Sequence, residues 1–173
     1  MVHNGLSHAN LWFGAYPALK MIHMQRNPIE IVYSWNVKEY GADFYSSKRS
    51  SIPVFNYKGF KLPYFAFGWE EKYSASHGFD RIIYSVNHIR NQHKSSYEVL
   101  DDSTKERILF VSHKKLTTET DKCLSNVSNF LGTRPSDDTP SILLEQNCPR
   151  VLFKDTPFLT SSLSQEDKLK KIR

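Results

Sequence analysis

A chain of 173 residues, 39% apolar and 24% charged, has the length for one domain with its own hydrophobic core and not for two of ordinary size. Its 23 Lys and Arg against 18 Asp and Glu leave a formal net charge of +5, which favours anionic partners without choosing among nucleotide, sulfated sugar, nucleic acid and lipid headgroup. No run reaches the 18 apolar residues of a membrane span, the first twenty residues lack the pattern of a secretory signal, and Cys123 and Cys148 are too few for a disulfide framework and lack metal-ligand spacing.

The first regular element is a short apolar run, "LKMIHMQ" at 19–25, which reads as a strand. Asn27, Pro28 and Glu30 then stand where a helix takes its N-cap, its first-turn proline and the acidic member of a capping box. Ile31 and Trp35 form an i, i+4 apolar pair that can face a sheet, while Ser34 lies above Asn27 and Glu30 on another line of the same helix. Residues 41–68, rich in Gly, Ser, Pro and aromatics, form a long excursion, a place where substrate contacts or simple aromatic packing are both expected.

Phe79, Ile82, Ile83, Val86 and Ile89 recur at three- and four-residue spacing and predict an amphipathic helix over about 79–97 whose stripe is core. "RILFVS" at 107–112 is continuously apolar, as in a strand covered on both faces. "TTETDKCLSNVSNFLG" reads as a further helix, with Thr118 and Asp121 as capping box and Gly132 as its stop. The tail "SQEDKLKKIR" reads as a solvated basic helix. Strand, helix, strand, helix in that order predicts an α/β domain with a parallel sheet flanked by helices, occupying residues 1–173 as a single unit.

The chemistry is concentrated at the first strand-to-helix junction. A helix start presents unpaired N–H groups and partial positive charge, and the Arg26 guanidinium beside it can grip a phosphate through two parallel bonds. Ser34 leans back toward the same end. Spacing alone also accommodates Arg26 as a surface ion-pair partner and Ser34 as a tolerated helix residue.

"MIHMQRNPIEIVYSW" at 21–35 resembles the 3′-phosphate-binding segment of sulfotransferases that use 3′-phosphoadenosine 5′-phosphosulfate (PAPS), where a strand ends in Arg-Asn-Pro or Arg-Asp-Pro and a serine follows eight residues after the arginine. Arg26 and Ser34 match those positions. "ERILFVSHKKLTTETDKCLSNVSNFLG" at 106–132 is similar to the later strand, turn and helix of the same family. Where the family's turn usually reads Tyr-Glu-Asp-Leu, with the tyrosine near adenine, this chain has His113, Lys114, Lys115 and Leu116. The resemblance implies a P-loop NTPase-like fold, PAPS as co-substrate with no metal, and adenine contact at His113. Arg150 is the local candidate for a further basic contact to the 3′-phosphate.

In carbohydrate-directed branches the base is often a histidine slightly more than twenty residues before that arginine. His3 lies 23 positions before Arg26 and His8 lies 18, so the resemblance implies His3 as catalytic base, with His8 second. The family also begins with a strand, a loop resembling Pro-Lys-x-Gly-Thr-Thr and a helix, which together cradle the 5′-phosphosulfate. These residues contain no such loop and no GxxxxGK[ST] pattern, so the expectation is a partial domain lacking that first unit.

The expected function is sulfuryl transfer from PAPS to an acceptor hydroxyl, on a carbohydrate rather than a small phenol. The alternative is a non-catalytic module that keeps the 3′-phosphate site and holds a nucleotide or a sulfated glycan. Nucleic-acid binding is disfavoured because no RNP, KH, zinc-finger or basic-helix pattern is present. The compartment stays open between cytoplasm and Golgi lumen, and the oligomeric state is not specified.

Overall fold

The computed structural model of the protein describes residues 4–40 and 53–150. A 3₁₀ turn, Gly5–His8, leads into α1, Ala9–Ala15, then β1, Met21–Gln25, and α2, Pro28–Val37. An antiparallel hairpin of β2, Val54–Tyr57, and β3, Phe60–Pro63, follows. The helices α3, Glu70–Ala75, α4, Gly78–Glu98, and α5, Asp102–Lys105, lead to β4, Ile108–Ser112. The remaining described elements are α6, His113–Thr118, α7, Thr120–Leu131, and α8, Thr139–Glu145.

The two expected strands pair with each other. β1 and β4 run parallel, in register from Met21 opposite Ile108 to Gln25 opposite Ser112, and a parallel pair requires a crossover, here made by the helices and hairpin between them. Ile108 and Val111 are buried, whereas Ile22 and Met24 of β1 are 39% and 44% exposed, so β1 is covered on one face only. The result is a mixed α/β fold with a small parallel sheet flanked by helices.

Two apolar clusters hold it together. Leu6, Ala9, Phe13, Leu100 and Ile108 join the N-terminal helices to β4, and Leu62, Phe65, Ala66 and Tyr73 sit under the hairpin. The helix α4 reaches both, through Tyr97 to the first and Ile89 to the second. Its predicted stripe is only partly core: Ile82 and Val86 are buried, but Phe79 is 52% and Ile83 is 39% exposed. Arg81, on the same helix, is buried with Nε donating to the carbonyls of Ser76 at 2.7 Å and Tyr73 at 3.2 Å, so its charge is met by hydrogen bonds.

The described part of the excursion, residues 53–68, packs down as an aromatic layer. Phe65 stands 5.5 Å from Trp35 and Phe55 stands 5.8 Å from Phe67, ring centre to ring centre. Trp35 is thereby turned toward the hairpin cluster rather than the sheet. The predicted Thr118 capping box does not form, because Thr118 Oγ1 donates back to the carbonyl of Lys114 at 2.9 Å. The chain instead makes a separate short helix, α6, and breaks at Glu119 before α7. Gly132 does stop α7, in the left-handed conformation at φ 73°. Cys123 and Cys148 are both free thiols. The tail lies outside the described residues.

Candidate functional site

At the end of β1, Asn27 caps α2 by accepting from the Ile29 amide at 2.9 Å. The other half of the expected capping box is missing, because Glu30 turns to Arg26 and accepts from its Nε at 3.1 Å. That contact uses Nε and, among the described residues, leaves the terminal nitrogens, the fork that grips an oxyanion, without a hydrogen-bond partner. Ser34 is half-buried one turn beyond Glu30, so Glu30 and Ser34 lie along one strip of α2, and Arg26 immediately precedes its N-cap.

Arg26 opens into a cleft of about 660 Å³ between the β1 end, α2 and α4, within the usual size range of small-molecule sites. Its floor is apolar, with Leu6, Val86, Ile89 and Phe110. Its polar rim is basic, carrying Arg26 and His23 from the β1 side and Arg90, His93 and Lys94 from α4. Among the described residues no carboxylate lines it. Ile31 and Trp35 contribute to the α2 wall, but Ser34 does not.

The two histidines meet at right angles, ring centres 5.0 Å apart. Burial lowers the pKa of both, and for His93 burial together with the neighbouring His23 brings it from 6.5 to about 4. His93 Nε2 lies 2.5 Å from Asn4 Oδ1, which also accepts from Ser7 Oγ at 2.6 Å. An amide oxygen only accepts, so His93 carries its proton on Nε2, and the 3₁₀ turn at Gly5–His8 is pinned to α4. At neutral pH the fixed positive charge of the cleft therefore comes from Arg26, Arg90 and Lys94.

The sequence-predicted residues distribute as follows. Because Gln25 and Ser112, the last pair of the ladder, are in register, Arg26 and His113 each follow directly at the C-terminal edge of the parallel pair, where open α/β sheets bind ligands. His113 begins α6, is half-buried, and does not line the cleft. Arg150 is exposed, and its backbone N–H donates to the carbonyl of Thr117 at 2.6 Å, which ties it to the far end of α6. His8 is exposed and outside the cleft lining. His3 lies outside the described residues.

The family model described as a sulfotransferase domain matches residues 7–171. The chain belongs to that family. Searches of curated proteins and of solved structures returned no significant match. For a sulfotransferase the reaction is transfer of a sulfuryl group to an acceptor, and a cleft with cations on its rim and no carboxylate is chemically suited to holding the anionic reactant. Among the described residues no helix is long and apolar enough to cross a membrane.

The residues that sequence reasoning missed in this sulfotransferase are Asn4, His23, Arg90, His93 and Lys94. A signal for the last three was present. The 3–4 spacing of Val86 and Ile89 continues through Arg90, His93 and Tyr97, so the inward stripe of α4 turns basic halfway along. No local pattern announced Asn4, whose partner is 89 residues distant.

Proposed function

We propose that this chain binds the 3′-phosphoadenosine part of PAPS at the C-terminal edge of β1 and β4 and serves sulfuryl transfer to an acceptor hydroxyl, on a carbohydrate. The observation that carries the reading is the register of the two strands, which puts Arg26 and His113, 87 positions apart in sequence, at the same sheet edge. In this reading Arg26 grips the 3′-phosphate with its terminal nitrogens while Glu30 fixes the guanidinium from behind. Ser34, on the same strip of α2, supplies a hydroxyl to that phosphate. His113 contacts adenine, and Arg150 adds positive charge from the end of α6.

The donor set fits such a group, since an oxyanion entering the cleft meets, among the described lining residues, three fixed cations and no carboxylate. PAPS supplies the activated sulfuryl group and a good leaving phosphate. The chain's own task is to hold the anionic end, orient it in line with the acceptor and take the acceptor proton. His3 is the proposed base, and its neighbour Asn4 is fixed at the cleft through His93. Stabilising the charge that develops on the transferred group is usually the largest catalytic contribution. No segment of these 173 residues resembles the family loop that provides it, so transfer by these residues alone is expected to be slow, as a radiolabelled sulfate-transfer assay would show.

Calorimetric titration tests the binding half. The folded chain should prefer 3′-phosphoadenosine 5′-phosphate to adenosine 5′-phosphate, and Arg26→Ala should abolish the preference at a cost of about 1.5–3 kcal/mol. Arg26→Lys should recover part of it, because an ammonium keeps charge without the planar fork. Ser34→Ala should cost about 1 kcal/mol. Equal binding of both nucleotides by a wild type shown to be folded by circular dichroism would overturn the reading.

A further inference from the structure

Arg90 and Lys94 do not belong to the motif just described. They stand one turn apart on α4, and both line the cleft from the wall opposite the β1 end that carries Arg26. Arg90 makes no hydrogen bond or ion pair with another side chain among the described residues. Lys94 reaches only Glu98, at 3.8 Å, with both side chains well exposed, which is a loose pairing of small energetic value. Two like charges at i, i+4 repel. Here they do so at the mouth of a cleft with an apolar floor, on the side facing Arg26, so that three cations converge on one opening.

Among the described residues no carboxylate lining the cleft relieves that repulsion: His23 and His93 lie neutral between the two walls, and Glu30, at the β1 side, is engaged with Arg26 and lies outside the lining. An ordinary solvated helix face would carry interspersed acidic residues. This face reads Arg90, His93, Lys94 and Tyr97, and its one carboxylate among the described residues, Glu98, stands at the end of the helix outside the cleft lining.

We propose that Arg90 and Lys94 form a second oxyanion subsite in the cleft, for a phosphate or sulfate ester distinct from the group held by Arg26. The inference deepens the nucleotide reading and rests on it for the location of the first phosphate. The second ester has two possible sources of the same chemistry, the 5′-phosphate of the nucleotide or a sulfate already carried by an acceptor sugar.

The test compares the full wild-type chain with the double variant Arg90→Gln/Lys94→Gln, both sites being exposed, and with Lys61→Gln/Lys122→Gln, which removes the same charge from exposed positions outside the cleft. Circular dichroism establishes that each is folded. The probes are 3′-phosphoadenosine 5′-phosphate, adenosine 3′-phosphate, and a sulfated disaccharide with its unsulfated counterpart, titrated by calorimetry. The proposal expects the cleft variant to lose at least about fivefold in affinity for a probe bearing the second ester, with the control variant within about twofold of wild type.

A loss for the bisphosphate with adenosine 3′-phosphate unchanged assigns the subsite to the nucleotide 5′ end. A loss for the sulfated disaccharide with the bisphosphate unchanged assigns it to the acceptor. Losses for both support a subsite that the two share. A smaller change for both probes overturns the proposal, as does an equal loss in the control variant or no binding of either probe by wild type. An equal loss for adenosine 3′-phosphate also overturns it, because Arg90 and Lys94 would then act on the same phosphate as Arg26. Failure of the nucleotide reading is seen separately, in the wild type's lack of preference for the bisphosphate over adenosine 5′-phosphate.

Discussion

Acidification is expected to weaken this fold through one side chain, His93. Burial and the adjacent His23 lower its pKa from 6.5 to about 4, while in an unfolded chain the ring titrates at its ordinary value. Between those limits the unfolded state binds more protons than the native state, so stability falls as pH falls. Above the upper limit neither state is protonated and the contribution vanishes. Below the lower limit both are, and the penalty is complete. Taken at face value the difference corresponds to about 3.4 kcal/mol in total and about 2 kcal/mol at pH 5. The ring is part-exposed, and solvent screening reduces the pH 5 figure to about 1 kcal/mol.

For a chain of this size that is a fall in Tm of about 2–4 °C. The assay is thermal unfolding by circular dichroism at pH 7, 6 and 5 for wild type and His93→Gln, whose amide keeps a donor for Asn4 but does not titrate. Asp101, held low by hydrogen bonds from Ser103 and Thr104, pushes in the same direction but is present in both proteins and cancels, whereas His23, in ring contact with His93, is read together with it as one coupled pair. The wild type should lose more Tm than the variant by the amount given. Curves that stay parallel within about 1 °C would refute the assignment of a neutral, desolvated His93.

Ile82→Ala should destabilise the protein by about 2–5 kcal/mol, because Ile82 is 2% exposed, and urea unfolding would register this as a lower midpoint at unchanged slope. In a protein extended upstream to include a 5′-phosphosulfate loop, His3→Ala should lower sulfate transfer by about two to four orders of magnitude with nucleotide affinity nearly intact; a small effect there and a large one for His8→Ala would move the base.

Local chemistry wrote much of this architecture into the sequence. The end of β1 and the start of α2 were legible because Asn27 and Pro28 act within one turn of the chain, and Gly132 marked the end of α7 because its conformation favours the residue without a side chain. Thr118 misled because a threonine hydroxyl can also bond back to a carbonyl four residues earlier, which it does here and which local spacing does not decide. Trp35 misled because its partner ring, Phe65, comes from the excursion, so its direction is a tertiary choice. Of the candidate site, Arg26 was legible as the cation at a helix start. The opposite wall showed in the sequence only as a stripe of α4 that turns basic, since Arg90 and Lys94 become site residues only when the fold brings α4 to the cleft beside the end of β1.

The parallel ladder between β1 and β4 has a consequence for biosynthesis. Met21 and Ile108 are made far apart in time: at typical elongation speeds of about 5–20 residues per second the ribosome needs roughly 4–17 s to travel from one to the other. Throughout that interval β1 lacks the strand it pairs with among the described residues, and the β4-facing edge of its backbone stands open. The hairpin and α4 close on local contacts and can form while β1 waits. The last-made strand of the pair therefore completes the sheet edge that presents Arg26, so that edge exists only once residues 108–112 have been made.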